Sequence, residues 1–335
     1  MEQVLKVLKE KKGEYVSGQE LAGLSGITRS GIWKQIEQLR ELGYNIESSP
    51  RKGYRFIGTT NDLNSMEIQD GLATIAFGRP VFYREEVDST TKWAKSLANQ
   101  GAVEGTIVIA EKQTGGRGRM GRSWASASGL GLWLTWILRP KMSASQLAGL
   151  TLLTAVTMSE TIKTVAGVQV QIKWPNDLFY EGKKLAGILA EINGEMDLVN
   201  YLIMSIGLNV NHEEADFPAE LKGRATSLKI ITGKELSRRI ILQQFLANFE
   251  SAYYLLPQKG MANLVEYAKK HSATLGKEVL INQGFGGIIE GKAIDLDIDG
   301  SLLLEDKQQK VIRVYSGDIM EQAIGDRQQA IPFKG

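Results

Sequence analysis

Cysteine is absent from this sequence, which excludes disulfides, thiolate zinc sites and a cysteine nucleophile. Histidine is almost as scarce: His212 and His271 are the only two, too few for a histidine metal cluster and a poor basis for a Ser-His-Asp triad. No apolar run reaches the roughly 20 residues that a membrane-spanning helix needs. The opening Met1-Glu2-Gln3 brings neither a basic n-region nor an apolar h-region, so a cytoplasmic protein with no membrane partner is expected. Neither sign of charge dominates, with 40 Lys and Arg against 38 Asp and Glu, which neither demands nor excludes nucleic acid. The distribution says more. Residues 1–60 hold ten Lys/Arg against seven Asp/Glu, and the remaining 275 hold 30 against 31. The basic bias sits at the N-terminus, as a small DNA-reading head requires.

What is present is an ordinary globular composition. Hydrophobic residues make up 43% and charged residues 23%, so a packed core is expected and global disorder is not. A length of 335 residues points to two or three domains. Three blocks stand out. Residues 1–60 read as three helices and a short hairpin, Asn45–Ser48 and Tyr54–Ile57. Gly58 to Asp62 is polar and reads as a linker. Residues 65–271 mix strands and helices. The strands are expected at Thr106–Ala110, Leu130–Leu138, Val170–Trp174, Leu185–Ile192 and Tyr201–Val210, and the helices at Ser89–Gln100, Ser143–Val165, Lys234–Leu256 and Met261–His271. Residues 274–325 are short strands parted by Gly286-Gly287, Asp299-Gly300 and Ser316-Gly317, the spacing of a small β-barrel.

The first block has a helix-turn-helix signature. The second helix opens on Ser17 with Glu20 three residues on, a capping box, and carries Leu21 and Leu24. The third starts at the N-cap candidate Thr28, and Ile32, Ile36 and Leu39 recur at helical spacing. Its outward face offers Thr28, Arg29, Ser30, Trp33 and Lys34, and the turn carrying Arg51 and Lys52 reads as a wing over the flanking backbone. With Ser17 these residues are the DNA-binding candidates. The competing reading is a three-helix protein-docking module with a solvated basic turn.

The most informative segment runs from Glu111 to Trp124, after an apolar strand. Four glycines fall between 115 and 121, interleaved with Arg117, Arg119 and Arg122. Such a stretch makes a poor helix or strand interior, but it brings backbone N–H groups and guanidiniums close to phosphate or carboxylate oxygens. It is not a Walker loop, because no Gly-Lys-Ser/Thr ends it. A flexible RG-type nucleic-acid loop is the alternative, and a single copy between apolar strands argues against it. A second cluster is Lys173-Trp174-Pro175-Asn176-Asp177, followed by Lys183-Lys184 at the start of an apolar strand. Pro175 should stop the first strand and turn Asn176 and Asp177 outward. Lys184 could hold an ammonium between a carboxylate and an α-phosphate, where the transition state gathers negative charge. The alternative is a solvated hairpin tip.

In order and spacing, Asp88-Ser89-Thr90, Gln113, Gly116 to Gly121, Lys173 to Asp177, Lys184 to Leu189 and Gly207-Leu208-Asn209 resemble the motifs of the biotin–protein ligase family. With the winged helix, the match is to its bifunctional form, a biotin–[acetyl-CoA-carboxylase] ligase that doubles as a biotin operon repressor. The resemblance covers essentially the whole chain. It implies an α+β protein: a winged helix-turn-helix over 1–60, a mixed α/β ligase domain of class II synthetase type over 65–271, and an SH3-like barrel over 274–325. It implies that Ser89, Thr90, Thr91 and Gln113 hold the ureido end of biotin. Arg117, Gly118 and Arg119 would close over biotin and the phosphates, and Lys184 would touch the carboxylate and α-phosphate. Lys184, Arg119 and Arg117 would therefore be catalytic. Arg119, Arg122, Trp124, Lys173, Asn176, Asp177 and Asn209 would bind the nucleotide, with Asp177 also near magnesium. Met120 stands where other members carry a third arginine, a change expected to leave the chemistry intact and weaken loop closure.

The implied substrates and cofactors are biotin, ATP and Mg2+. The implied partners are a biotin carboxyl carrier protein, operator DNA and a second copy of the chain when ligand is bound. A glycine-rich loop that orders over biotin predicts binding of biotin before ATP. Two rivals remain at this stage: a lipoate–protein ligase of the same superfamily, and a non-enzymatic DNA-binding sensor of a small anion.

Overall fold

The computed structural model describes residues 1–59, 63–140, 144–195 and 198–320. The expected linker at 60–62, the helix start at Ser143 and the end of the last block at 321–325 lie outside the described residues.

The head consists of α1 (Glu2–Glu10), β1 (Tyr15–Val16), α2 (Gly18–Ser25), α3 (Arg29–Glu41), β2 (Tyr44–Ser49) and β3 (Gly53–Thr59). Its antiparallel sheet has the order β1-β3-β2. Val4, Leu5, Leu8, Leu21, Ile32, Ile36 and Leu39 close one core with Val16, Tyr44, Ile46 and Phe56. Leu24 is an exception: it is 50% exposed. Ser17 accepts the Glu20 N–H as an N-cap, but the Glu20 carboxylate goes to Lys11, so only half of the capping box forms. Gly58 and Thr59, expected in the linker, instead pair with Asn45 and Tyr44.

The central domain adds α4 (Ser65–Gln69), β4 (Val81–Val87), α5 (Thr90–Asn99), β5 (Ile107–Gln113), β6 (Gly131–Leu138), α6 (Ala144–Ala166), β7 (Gln171–Lys173), β8 (Asp177–Tyr180), β9 (Lys183–Glu195), β10 (Leu198–Asn209), α7 (Leu228–Thr232), α8 (Arg238–Lys259) and α9 (Ala262–Lys270). Its seven strands run β4-β5-β6-β10-β9-β8-β7, with only β4 and β5 parallel. Trp136, Phe245, Phe249 and Phe77 pack edge to face beneath the sheet, burying large aromatic area against α8. On the opposite face α5 covers Val108, Ile137 and Ile203 with Ala94 and Ala98.

Several elements differ from the sequence-based expectation. Strands β1, β4 and β8 and the five-residue helices α4 and α7 were not expected. β8 and β9 form a hairpin because Glu181 and Gly182 both take positive φ, 46° and 78°, as the tightest two-residue turn requires. The helix expected from Lys234 begins at Arg238 instead. Gly233 ends α7 in a left-handed conformation, and Ser237 caps α8 by accepting the Ile240 N–H.

The last unit is an antiparallel five-stranded sheet of β11 (Glu278–Asn282), β12 (Ile288–Leu296), β13 (Leu302–Glu305), β14 (Val311–Val314) and β15 (Asp318–Met320), in the order β14-β13-β12-β11-β15. Its buried residues, among them Ile281, Leu296 and Leu304, belong to the same continuous core as the central domain.

Candidate functional site

A cavity of about 440 Å3 opens where the ends of β5, β8, β9 and β10 meet the N-terminus of α5, the arginine-bearing loop and β15. Thr90, Thr91, Gln113, Arg117, Gly118, Arg119, Arg122, Trp124, Lys173, Asn176, Asp177, Lys184 and Asn209 all line it. Ser89 is the one proposed ligand residue outside the lining. It is buried at the N-cap of α5, and its hydroxyl has no partner among the described residues.

One wall is a chain of hydroxyls. The Thr90 N–H and hydroxyl donate to Gln113 Oε1 at 2.9 and 3.0 Å, and Gln113 Nε2 donates to Ser126 Oγ at 2.9 Å. Thr135 Oγ1 donates to Thr90 Oγ1 at 2.9 Å, and Ser205 Oγ lies 2.9 Å from both Thr135 and Thr91. Such a network fixes the Thr and Gln side chains before a ligand arrives. Sequence reasoning missed Ser126, Thr135 and Ser205. A signal existed: Thr135 and Ser205 are lone hydroxyls in apolar strands, and they face each other in register across β6 and β10.

The opposite wall is cationic. Lys184 Nζ contacts Asp177 Oδ2 at 2.7 Å and sits 5.3 Å from the Trp124 ring centre. Arg119 Nη1 donates to Asn176 Oδ1 at 3.3 Å and to the Gly317 carbonyl at 3.2 Å, and it meets Asp318 Oδ1 at 3.3 Å. Arg122 Nη2 reaches Asp318 Oδ2 at 3.2 Å. Asn176 and Asp177 do not turn outward as the position of Pro175 had implied. Asn176 is buried and donates to the Ile188 carbonyl, and Asp177 faces Lys184, because β8 pairs back onto β9. Lys173 lies over the Phe179 ring, 4.8 Å from its centre. Asn209 Nδ2 donates to the Thr226 carbonyl at 3.0 Å.

Two facing glycines explain the floor. Gly187 and Gly207 are partners across β9 and β10. A Cβ at Gly207 would lie 2.4 Å from Trp124 Nε1, and one at Gly187 would lie 2.9 Å from Trp124 Cζ3. The indole therefore fills a slot that any side chain would close. In the loop, a Cβ at Gly115 would lie 1.9 Å from Asp88 Oδ1, so tight packing accounts for this glycine without any ligand contact.

Further lining residues went unnoticed in the sequence: Arg224, Asp318 and His212. His212 stacks on Phe217 at 5.0 Å and meets Trp133 edge on. Burial pushes its pKa down from 6.5 to about 4. The folded state resists protonation, so this contribution to stability is complete above pH 6.5 and falls away toward pH 4. His212→Phe is expected to flatten that acid branch by roughly 2–3 kcal/mol. Urea unfolding at pH 7 and pH 4.5 measures it, and identical pH dependence in the two proteins would rule it out.

On the head, Thr28 at the N-cap of α3 and Arg29, Ser30, Trp33 and Lys34 on the helix itself are all exposed, Trp33 by 56%. The Thr28 hydroxyl accepts the Gly31 N–H at 3.2 Å and the Ser17 hydroxyl accepts the Glu20 N–H at 3.0 Å, so both residues also act as helix caps. Arg51 and Lys52 are exposed at the tip of the β2–β3 hairpin, where Lys52 Nζ lies 5.7 Å from the Tyr15 ring centre. No helix among the described residues is long and apolar enough to cross a membrane. No group of three or more His, Asp or Glu among them could hold a metal ion unaided.

Comparison with known proteins agrees across the chain. Residues 83–211 match the biotin/lipoate A/B protein ligase family, residues 1–55 a helix-turn-helix domain, and residues 274–320 the biotin protein ligase C-terminal domain. The bifunctional ligase/repressor BirA of Bacillus subtilis is 40% identical over 94% of this chain and 97% of its own length. Its Escherichia coli counterpart is 29% identical over 91% and 92%. Among solved structures, the biotin protein ligase of Aquifex aeolicus in complex with biotin and ATP superposes with a TM-score of 0.63 at 31% identity, covering 72% of this chain and 98% of that one. With a ligase domain, a helix-turn-helix head and this level of identity along nearly its whole length, the chain belongs to the family of bifunctional biotin–protein ligases and repressors.

Proposed function

We propose that the cavity joins biotin to AMP and passes the biotinyl group to a lysine of a carboxyl carrier protein in the cytoplasm. The observation that carries this reading is the convergence of Lys184, Arg119 and Arg122 on one pocket whose far wall is a preset hydroxyl network. The neutral hydroxyl and amide wall of Thr90, Thr91 and Gln113 suits a ureido ring, which both donates and accepts hydrogen bonds. The cationic wall suits the carboxylate and the phosphates. Trp124 and, from the stretch after β10, Phe217, Pro218, Leu221 and Ala225 offer apolar surface for adenine.

In the first half-reaction the biotin carboxylate attacks the α-phosphorus of ATP. The bond to the bridging oxygen breaks, and pyrophosphate leaves from biotinyl-5′-AMP. Lys184 lowers the repulsion between the two anions and neutralises charge in the transition state. Arg117 and Arg119 cover the reacting groups, and Arg122 and Lys173 lie beside the phosphates. In the second half-reaction a carrier lysine amine attacks the acyl carbon of the mixed anhydride, AMP leaves, and an amide forms. Exclusion of water by the loop protects the anhydride between these steps. Asp177 fits a magnesium ion held mainly by phosphate: its Oδ1 is buried without a hydrogen-bond partner while Oδ2 is taken by Lys184. Bound there with ATP, the ion would supply charge neutralisation on the phosphates. Incubation with ATP, magnesium and labelled biotin should leave an adenylate bound to the protein. Pyrophosphate release that does not depend on biotin would defeat the reading.

The head would read operator DNA through α3 in the major groove and the wing on the backbone, with the ligand-bound chain acting as a homodimer on two half-sites. Arg51→Ala should then weaken binding to all sequences alike and reduce the slope of log affinity against log salt by about 0.9 for one lost phosphate contact. A titration series in potassium chloride tests this. An unchanged slope removes the wing from the interface.

A further inference from the structure

The seam between the head and the central domain closes around one buried carboxylate. Glu67, in α4, is 3% exposed. Tyr44 Oη donates to its Oε1 at 2.8 Å, Lys9 Nζ stands 2.5 Å from the same oxygen, and Arg239 Nη1 lies 3.0 Å from Oε2. Lys9 and Tyr44 belong to the head, and Arg239 belongs to α8. α4 itself straddles the seam: Met66 packs on the head core, and Ile68 is part of the central core. Gln243 of α8 fastens it further by donating to the Ile68 and Asp70 carbonyls, both at 2.8 Å. A buried anion with cations from both sides holds its neighbours in one geometry, because losing either leaves charge uncompensated.

The preceding residue on α8 points the other way. Arg238 forms a buried bidentate pair with Glu111, Nη1 to Oε2 at 2.7 Å and Nη2 to Oε1 at 3.2 Å, and its Nη1 also lies 3.4 Å from the Gly131 carbonyl. Glu111 in turn accepts the Gly129 N–H at 3.2 Å. Glu111 lies just before the arginine-bearing loop, and Gly129 and Gly131 lie just after it. Arg238 therefore grips both roots of that loop. Successive helical residues diverge by about 100° around the axis, so one helix start reaches the loop roots directly and the head through the single side chain of Glu67.

We propose that Arg238 and Arg239 form the coupling element between the ligand pocket and the DNA-binding head. Arg238 positions the loop roots, and Arg239 positions the head through Glu67. Loop closure over ligand shifts the roots, the start of α8 follows, and Glu67 carries Lys9 and Tyr44 with it. The inference rests on the biotin-responsive repressor reading for its biological meaning, but its test does not.

Amide hydrogen exchange on the full chain, with and without biotin and Mg-ATP, reads the coupling directly. Ligands should slow exchange between residues 111 and 131 and also in α1 and β2. Glu67→Gln should keep the first effect and lose the second, with pyrophosphate release unchanged. The gain in operator affinity that ligands bring should fall by about tenfold. Arg239→Met should behave alike and Arg239→Lys should restore the response; these stand in if Glu67→Gln fails to fold. Head protection that responds to ligand equally in wild type, Glu67→Gln and Arg239→Met overturns the proposal, as does a wild-type head that does not respond at all. A head whose protection responds while operator affinity does not supports the coupling and refutes the repressor reading alone.

Discussion

Lys184→Ala is expected to slow biotin-dependent pyrophosphate release by about 10²–10³-fold, the loss typical of removing one preorganised charge partner from a transition state. The ammonium is held by Asp177 on one side and by the face of Trp124 on the other, so it need not reorganise when negative charge gathers. Its removal also leaves the Asp177 carboxylate facing the incoming phosphates uncompensated. The effect should fall on kcat more than on the affinity for biotin, because the proposed reading assigns the ureido end to Thr90, Thr91 and Gln113 on the other wall. Single-turnover adenylate formation beside calorimetric biotin binding separates the two. Wild-type kcat with a weakened biotin affinity would show Lys184 to be a binding group only.

The second large effect concerns stability. Arg238→Met should destabilise the central domain by about 3–5 kcal/mol, because among the described residues it leaves the buried Glu111 carboxylate with the Gly129 N–H alone for support. Adding Glu111→Leu should recover most of that loss, since an apolar pair replaces an ion pair whose desolvation was itself unfavourable. Urea unfolding of the two single variants and the double variant gives the coupling energy directly. A single-variant loss within 1 kcal/mol would mean that water reaches the pair and that it does not clamp the loop roots.

The parts of this molecule legible in its sequence are those where local chemistry admits few readings. Four glycines among three arginines cannot be a helix, and Lys184 beside a Trp-Pro-Asn-Asp turn marks charge at a strand start; both meet in the cavity. The helix-turn-helix was legible because its apolar residues repeat at helical spacing between clear caps. The remainder depends on distance along the chain. Thr135 and Ser205 look unremarkable alone and acquire meaning only from strand register. Asp318 meets Arg119 and Arg122 across nearly two hundred residues, beyond any local pattern. The five residues of α4 are too few for periodicity to show, so Glu67 was invisible before its partners were placed. Asn176 and Asp177 were misdirected by Pro175, because the short strand β8 that follows it pairs back onto β9 through the Glu181-Gly182 turn and carries them inward.

The Gly317 carbonyl and the Asp318 carboxylate hold Arg119, and both lie at the far end of the described chain. Ribosomes deliver a polypeptide head first, and N-terminal units fold as they emerge. A nascent chain therefore displays its helix-turn-helix while the proposed vitamin pocket still lacks a wall. Until residue 318 has cleared the exit tunnel and found the loop, the growing protein would have a reader of DNA with nothing yet to report.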